Sequence, residues 1–342
     1  MKSVNIIVAG FGRVGRAFWK VVEDKRKVCR ERYGLDLVLK AVFKSDGGIF
    51  SETPISVEPS LPGAPLRIQE SPDWKPRLRV QNIIADLEPG VLVECTPSDL
   101  RTGEPGLSYL TAALEKGWHA AAASKGALVL RFKELTGLAR QNGVQLKFSG
   151  ATAAALPTLD VGIQSLAGAD VLGIEGILNG TVNFILTRMG EGMDSERALR
   201  EAQDKGIAEP DPTLDIDGWD TACKLLLICN AVMRTDFGLN EVRVEGIRGI
   251  SKDLVIKASR LGKAVKLMGK CTKDERDHPW KLEVGLALLN PSHPLYGVNE
   301  TTKGITFYTD TMGSVTVTGG RSDPLGTGAA LLKDIIGIYA DR

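Results

Sequence analysis

Apolar positions open the chain in short runs. Val4 to Ala9 is apolar and ends at Gly10, Arg13 to about Lys27 has helix character, and Leu37 to Phe43 is apolar again. That order predicts strand, turn, helix and strand, the βαβ unit of a parallel sheet. The alternation continues. Asn82 to Ala85 and Val91 to Cys95 read as strands, Pro105 to Lys116 as a helix, Trp118 to Ala123 as a strand, and Val144 to Ser149 closes the region. Glu52 to Arg79, rich in proline and serine, reads as a long surface loop.

The pattern then changes. Leu172 to Leu178 is strand-like, Ser195 to Lys205 is a helix with a charged face, and Gly218 to Met233 is an apolar-rich helix. Lys281 to Leu289 and Ser314 to Thr318 alternate as strands of a mostly antiparallel sheet do. Gly326 to Tyr339 reads as an amphipathic helix. The 342 residues thus divide into two domains. Residues 1–150 form an α/β domain with a doubly wound parallel sheet, onto which a helix within 321–342 packs back. Residues 151–320 form an α+β domain.

Composition narrows the function classes. A net charge of +1 with 25% charged and 43% apolar residues offers no field for nucleic acid or an anionic membrane. No apolar run approaches the ~20 residues of a membrane span, and the first strand follows Met1 so closely that no signal peptide is expected. The five cysteines (Cys29, Cys95, Cys223, Cys229, Cys271) show no CxxC spacing. That argues against a zinc site or a disulfide framework and points to a reducing cytoplasm.

Gly10-Phe11-Gly12-Arg13-Val14-Gly15 follows the first strand and opens the first helix, the context in which G-x-G-x-x-G binds a dinucleotide. Gly10 allows the tight turn, Gly12 lets the backbone approach a pyrophosphate, and Gly15 lets helix and strand pack closely. An acid at the end of the second strand would select NAD; the chain has Lys44 and Ser45, with Asp46 one place later. Lys44, helped by Arg13, favours the 2′-phosphate of NADP, with NAD as the alternative.

Gly206 to Lys224 carries five carboxylates and one lysine, stiffened by Pro210 and Pro212. Asp217 is placed to cap the helix that follows. Asp220 and Lys224, four apart, share one face of it beside the apolar run Leu225 to Ile228. A plain helix salt bridge has this spacing too. The density of acids favours an amino-acid substrate, whose ammonium group wants carboxylates and whose alcohol or aldehyde wants a proton relay.

This stretch resembles the substrate motif of homoserine dehydrogenases, as does Gly176 to Thr187. Thr96-Pro97 and Ala123-Ser124-Lys125-Gly126 match too, and the resemblance runs over nearly the whole chain. It implies a Rossmann-type cofactor domain, a substrate and dimerisation domain, and a homodimer. It also implies NAD(P)-dependent interconversion of L-homoserine and L-aspartate 4-semialdehyde, a step toward threonine, methionine and isoleucine. Carried over by motif, Glu209 and Asp215 would hold the substrate's ammonium, with Gly180 and Thr181 contributing. Asp220 would orient the substrate and Lys224 would exchange the proton at the reacting oxygen. Lys125 would lie between nicotinamide and substrate, and Thr96 would contact the cofactor.

The chain departs from the family at Ser149, where an acid is usual, and this argues against the family's monovalent cation, whose carbonyls would be those of Thr152, Ala154 and Leu156. Ser124 stands for an asparagine, Ile207 for a tyrosine, and Gly319 to Asp323 for a glycine-alanine-glycine turn. A regulatory C-terminal domain is not expected. Other readings remain open: a dehydrogenase of another amino-acid semialdehyde, a thiolate enzyme built on Cys95, or a nicotinamide-binding sensor without catalysis. His119, His278 and His293 read as structural.

Overall fold

The computed structural model describes residues 1–55, 68–273 and 280–340. Two compact units form, Met1–Ala154 with Pro324–Arg342, and Ala155–Asp323. The first begins with β1 (Lys2–Ala9), α1 (Arg13–Tyr33) and β2 (Leu35–Lys44), then β3 (Gly47–Phe50) and β4 (Trp74–Pro76). It continues through α2 (Val80–Asp86), β5 (Val91–Glu94), α3 (Gly106–Glu115), β6 (His119–Ala122), α4 (Gly126–Gln141) and β7 (Leu146–Lys147). Its sheet runs β4-β3-β2-β1-β5-β6-β7. The strands from β2 to β7 are parallel, and β3 and β4 add an antiparallel edge. Strand order reverses between β1 and β5, so the crevice beyond their carboxyl ends is where such a sheet takes its ligand.

Two expectations fail here. Asn82–Ala85 is part of helix α2, because Val80, Ile83 and Ile84 bury one helical face. The expected loop Glu52–Arg79 contains a 3-10 turn (Ile68–Glu70) and β4, whose Trp74 pairs with Ile49; residues 56–67 lie outside the described residues.

The second unit holds α5 (Thr158–Asp160), β8 (Val171–Ile177), α6 (Gly180–Gly190), α7 (Ser195–Asp204), α8 (Thr213–Ile216) and α9 (Trp219–Val232). It continues with β9 (Val242–Val244), α10 (Lys252–Arg260), β10 (Ala264–Thr272), β11 (Lys281–Leu289), β12 (Lys303–Thr309) and β13 (Ser314–Gly319). Its sheet runs β13-β12-β8-β10-β11-β9, antiparallel except for the β11–β9 pair. Lys266 is buried against α6, its ammonium donating to Asn183 Oδ1 (3.0 Å), Asn299 Oδ1 (2.9 Å) and the Val298 carbonyl (2.5 Å). These bonds fix the 290–302 loop on the helix. Asp217 does not cap α9. The cap is Gly218 at φ 86°, and the Asp217 carboxylate pairs with Arg248 at 2.7 and 3.0 Å.

α11 (Pro324–Ala340) belongs to the first unit. Leu331, Ile335 and Ile338 join Phe18, Trp19 and Val22 of α1 in one apolar cluster. A Cβ at Gly328 would stand 2.8 Å from the Phe18 backbone, so only glycine permits this approach. The helix also places buried Asp334 to accept the Ser149 N–H (2.9 Å) and hydroxyl (2.7 Å), while Lys333 donates to Ser149 Oγ (2.8 Å). Asp334→Ala strands a buried N–H and a hydroxyl. It should lower the free energy of unfolding by about 2–3 kcal/mol in a urea titration, and an unchanged midpoint would contradict this account.

Candidate active site

The cofactor cradle is built at the carboxyl ends of β1, β2, β5 and β6. Gly10 has φ +92°, and a Cβ there would sit 2.4 Å from the Cys95 carbonyl; at Gly15 it would sit 2.3 Å from the Gly10 carbonyl. Both positions demand glycine. At Gly12 a Cβ would meet nothing within 4 Å, and no side chain caps α1. The first turn of α1 therefore presents N–H groups and a positive dipole end toward open space, which fits a dinucleotide pyrophosphate. Phe11 is buried, and its N–H and that of Gly10 donate to the Phe43 carbonyl (2.8 and 3.1 Å), fixing the turn against β2. Val14 packs on the core below, and Arg13 is exposed.

At the end of β2, Lys44 donates to Gln69 Oε1 (3.0 Å), whose amide reaches Asp46 (3.3 Å). Thr96 follows β5 and Lys125 follows β6, where the Lys125 N–H bonds Ser98 Oγ (2.9 Å). Glu94, which the sequence did not single out, joins these two strand ends. Fully buried, it accepts from the Thr96 N–H (2.7 Å), the Thr96 hydroxyl and the Ser124 hydroxyl. Burial pushes its carboxyl up, against the pull of the two hydroxyls. Ser124 thus has its own partner in this chain. Desolvation, then the adjacent Glu94, hold the Cys95 thiol well above its ordinary range, which disfavours the thiolate that the Cys95 reading needs.

In the second unit the acid and lysine constellation is organised by Asn179. Its carbonyl oxygen caps α6 by accepting the Val182 N–H (2.8 Å). Its amide nitrogen then donates to Asp215 Oδ1 (2.6 Å) and Asp220 Oδ2 (2.7 Å). Asp220 Oδ2 also takes the Lys224 ammonium at 2.6 Å, and Lys224 donates again to the Leu178 carbonyl (3.1 Å). The Asp220 and Lys224 side chains are only 11% and 17% exposed, so this pair is more than a solvated helix salt bridge. Thr181 donates to the Ile207 carbonyl (3.2 Å), tying α6 to the acidic loop. At Gly180 a Cβ would stand 2.6 Å from Ser322 Oγ and 2.8 Å from the Thr301 carbonyl. Glu209 is exposed on that loop, outside the group that Asn179 gathers. Asn179 is the residue that sequence reasoning passed over, although an asparagine directly before a helix is a capping signal.

One more cation lies here unforeseen. Lys303, at the start of β12, is 4% exposed and donates to the Arg321 carbonyl (3.4 Å). Desolvation first, then the charge of Lys224, lower its ammonium to about 7.

At Ser149 the side chain is already engaged, which tells against a monovalent cation there. The Ser149 hydroxyl is spent on Asp334 and faces the Lys333 ammonium. The Ser149 carbonyl accepts from the Ala154 N–H (3.0 Å) and the Thr152 hydroxyl (3.1 Å), and the Leu156 carbonyl accepts from the Thr158 N–H (2.8 Å). Ala154 itself sits at φ 52°. Among the described residues no group of three His, Cys, Asp or Glu is placed to hold a metal. His119 Nδ1 accepts the Gln145 N–H (2.9 Å), and His293 lies 3.1 Å from Glu175, an acid partner that sequence did not reveal. His278 lies outside the described residues.

Comparison with known proteins agrees with this geometry. The family model for the homoserine dehydrogenase NAD binding domain matches residues 10–149, and that for homoserine dehydrogenase matches residues 157–336. The homoserine dehydrogenase of Methanocaldococcus jannaschii is 34% identical over 98% of this chain and 98% of its own. The NAD(+)-dependent homoserine dehydrogenase of Pseudomonas canavaninivorans is 31% identical over 99% of this chain and 97% of its own. A hyperthermophilic archaeal homoserine dehydrogenase solved in complex with NADPH superposes with a TM-score of 0.83 over 100% of this chain and 99% of that one; at 24% identity it speaks for the fold alone. The chain belongs to the homoserine dehydrogenase family of NAD(P)-dependent oxidoreductases.

Proposed function

We propose that this protein interconverts L-homoserine and L-aspartate 4-semialdehyde, with Lys224 exchanging the proton at the reacting oxygen. The observation that carries the reading is the Asn179-Asp220-Lys224 chain of hydrogen bonds. An ammonium group has three N–H bonds. Lys224 commits one to Asp220 and one to the Leu178 carbonyl; in this reading the third serves the substrate oxygen. There it stabilises negative charge as an aldehyde is reduced and supplies the proton; in the oxidation direction it takes the hydroxyl proton back. Asp215 and Glu209 hold the substrate ammonium, and the Gly180 and Thr181 backbone shapes the floor beside them. Bound nicotinamide supplies the hydride. Gly10 to Gly15 and Thr96 position that cofactor, and Lys125 stands at its reactive end.

NADP is the preferred cofactor in this reading. No carboxylate ends β2, and Lys44 and Arg13 are the basic groups at the cradle's ribose side. The relatives carry both cofactors in their descriptions, so preference is a matter for this chain's own residues. The protein works in the cytoplasm: its cysteines are free and mostly buried, and no described helix is long and apolar enough to cross a membrane. It works as a homodimer through the sheet of the second unit, where β11 leaves Leu286 and Leu288 exposed on one strand face at 38% and 54%.

Three measurements test this. Absorbance at 340 nm with L-homoserine at alkaline pH should rise with NADP+, and Lys224→Ala should cut kcat at least ~10²-fold while cofactor affinity stays. Cofactor binding with no reduction in the wild type would leave a nicotinamide sensor instead. Lys44→Asp should lower the NADP/NAD ratio of kcat/KM by about tenfold or more; an unchanged ratio would remove Lys44 from the cofactor site. Sedimentation should give a dimer that Leu288→Glu dissociates, and a monomeric wild type would end the dimer reading.

A further inference from the structure

The proposed reaction leaves one substrate charge without a partner. L-Homoserine carries an ammonium, an α-carboxylate and a hydroxyl. The acids Asp215 and Glu209 suit the first and Lys224 suits the last, but no residue so far answers the carboxylate. We infer that Lys303 recognises the α-carboxylate and thereby makes the enzyme select an amino acid over the corresponding amino alcohol. The inference rests on the homoserine reading above.

Strand register brings Lys303 to the site. Gly304 pairs with Ile177 at the end of β8, so Lys303 stands beside the turn Leu178-Asn179 that leads into α6. Lys224 docks on the Leu178 carbonyl of that turn, and Asn179 gathers Asp215 and Asp220 from it. Two lysines from separate elements therefore flank one turn, and the acids join the hydrogen-bond chain that holds Lys224. Among the charged groups acting on Lys303 are Lys224 and Asp220 of α9 and Asp323 after β13. Asp323 is engaged by the Arg321 guanidinium at 2.6 and 2.8 Å, and Asp220 by Lys224 at 2.6 Å. The Lys303 ammonium also donates a long bond, 3.4 Å, to the Arg321 carbonyl.

A buried ammonium beside another ammonium opposes its own charge, which is why Lys303 sits near 7. A carboxylate arriving next to it would reverse that balance and raise it again. Binding of the zwitterion should then draw a proton onto Lys303, whereas an amino alcohol without the carboxylate should draw none. The opposing view is a strut in which Lys303 only ties β12 to the Arg321 loop. A strut has no reason to distinguish the two ligands.

The test compares L-homoserine with 3-aminopropan-1-ol, the same molecule without its carboxylate, on NADPH-loaded protein by quenching of cofactor fluorescence. Lys303→Met should weaken L-homoserine about 30- to 100-fold and leave 3-aminopropan-1-ol unmoved. The loss in turnover should fall on KM rather than kcat, and Lys303→Arg should recover part of it. Wild-type homoserine affinity should fall as pH rises above about 7, and the Met variant should lose that slope. Equal weakening of both ligands, or no weakening of L-homoserine, overturns the inference while the homoserine reading stands. A wild type that shows no turnover of L-homoserine overturns both.

Discussion

The second unit depends on one side-chain amide. Asn179 follows β8, caps α6 with its oxygen, and with its nitrogen holds two carboxylates from α8 and α9. Each of those jobs constrains the others. The cap fixes the amide's orientation, so the nitrogen must face the acids. The acids in turn fix Lys224, because Asp220 Oδ2 accepts from both Asn179 and Lys224. A shift in the start of α6 would therefore move the Lys224 ammonium, although α6 contributes none of the charges in this network. Networks of this kind position their members better than isolated pairs do, since no single rotamer can change alone.

The cofactor unit solves a similar problem with a buried acid. The ends of β5 and β6 must hold Thr96 and Lys125 in place, and short parallel strands alone leave such ends free to splay. Glu94 accepts hydrogen bonds from residues after both strands, one oxygen taking Thr96 and the other Ser124. The glycine turn needs no such device. Gly10 and Gly15 are fixed by backbone contacts that exclude any Cβ, so the geometry follows from the residues that are missing rather than from bonds.

That difference explains what was legible in the sequence. The glycine turn and the Asp220–Lys224 spacing were readable because each depends on local contacts, one on the absence of side chains and one on helical periodicity. α2 was misread as a strand because a short apolar run fits both periods, and only its packing of Val80 with Ile83 and Ile84 decides. α6, β10 and β12 carry no alternation to detect, since most of their positions are buried on more than one side. Glu94 and Lys303 were invisible for another reason. A charged residue at a strand end is ordinarily solvated, and burial here comes from partners distant in sequence.

The departures from the family pattern are locally coherent, which bears on how the chain tolerates them. Ser149 has lost an acid but gained a pair on α11, where Asp334 accepts from its N–H and hydroxyl and Lys333 donates to it. A lysine ammonium at that hydroxyl supplies the positive charge locally and covalently, and a second cation beside it would meet like-charge repulsion. Ser124 answers Glu94, and Ile207 joins Phe184 and Ala208 in an apolar cluster under the acidic loop. Each replacement is satisfied by neighbours from the same unit, so each alters how the framework is held. The Asn179, Asp215, Asp220 and Lys224 bonds involve none of the Ser149, Ser124 and Ile207 side chains, so these three replacements leave that network's own bonds untouched.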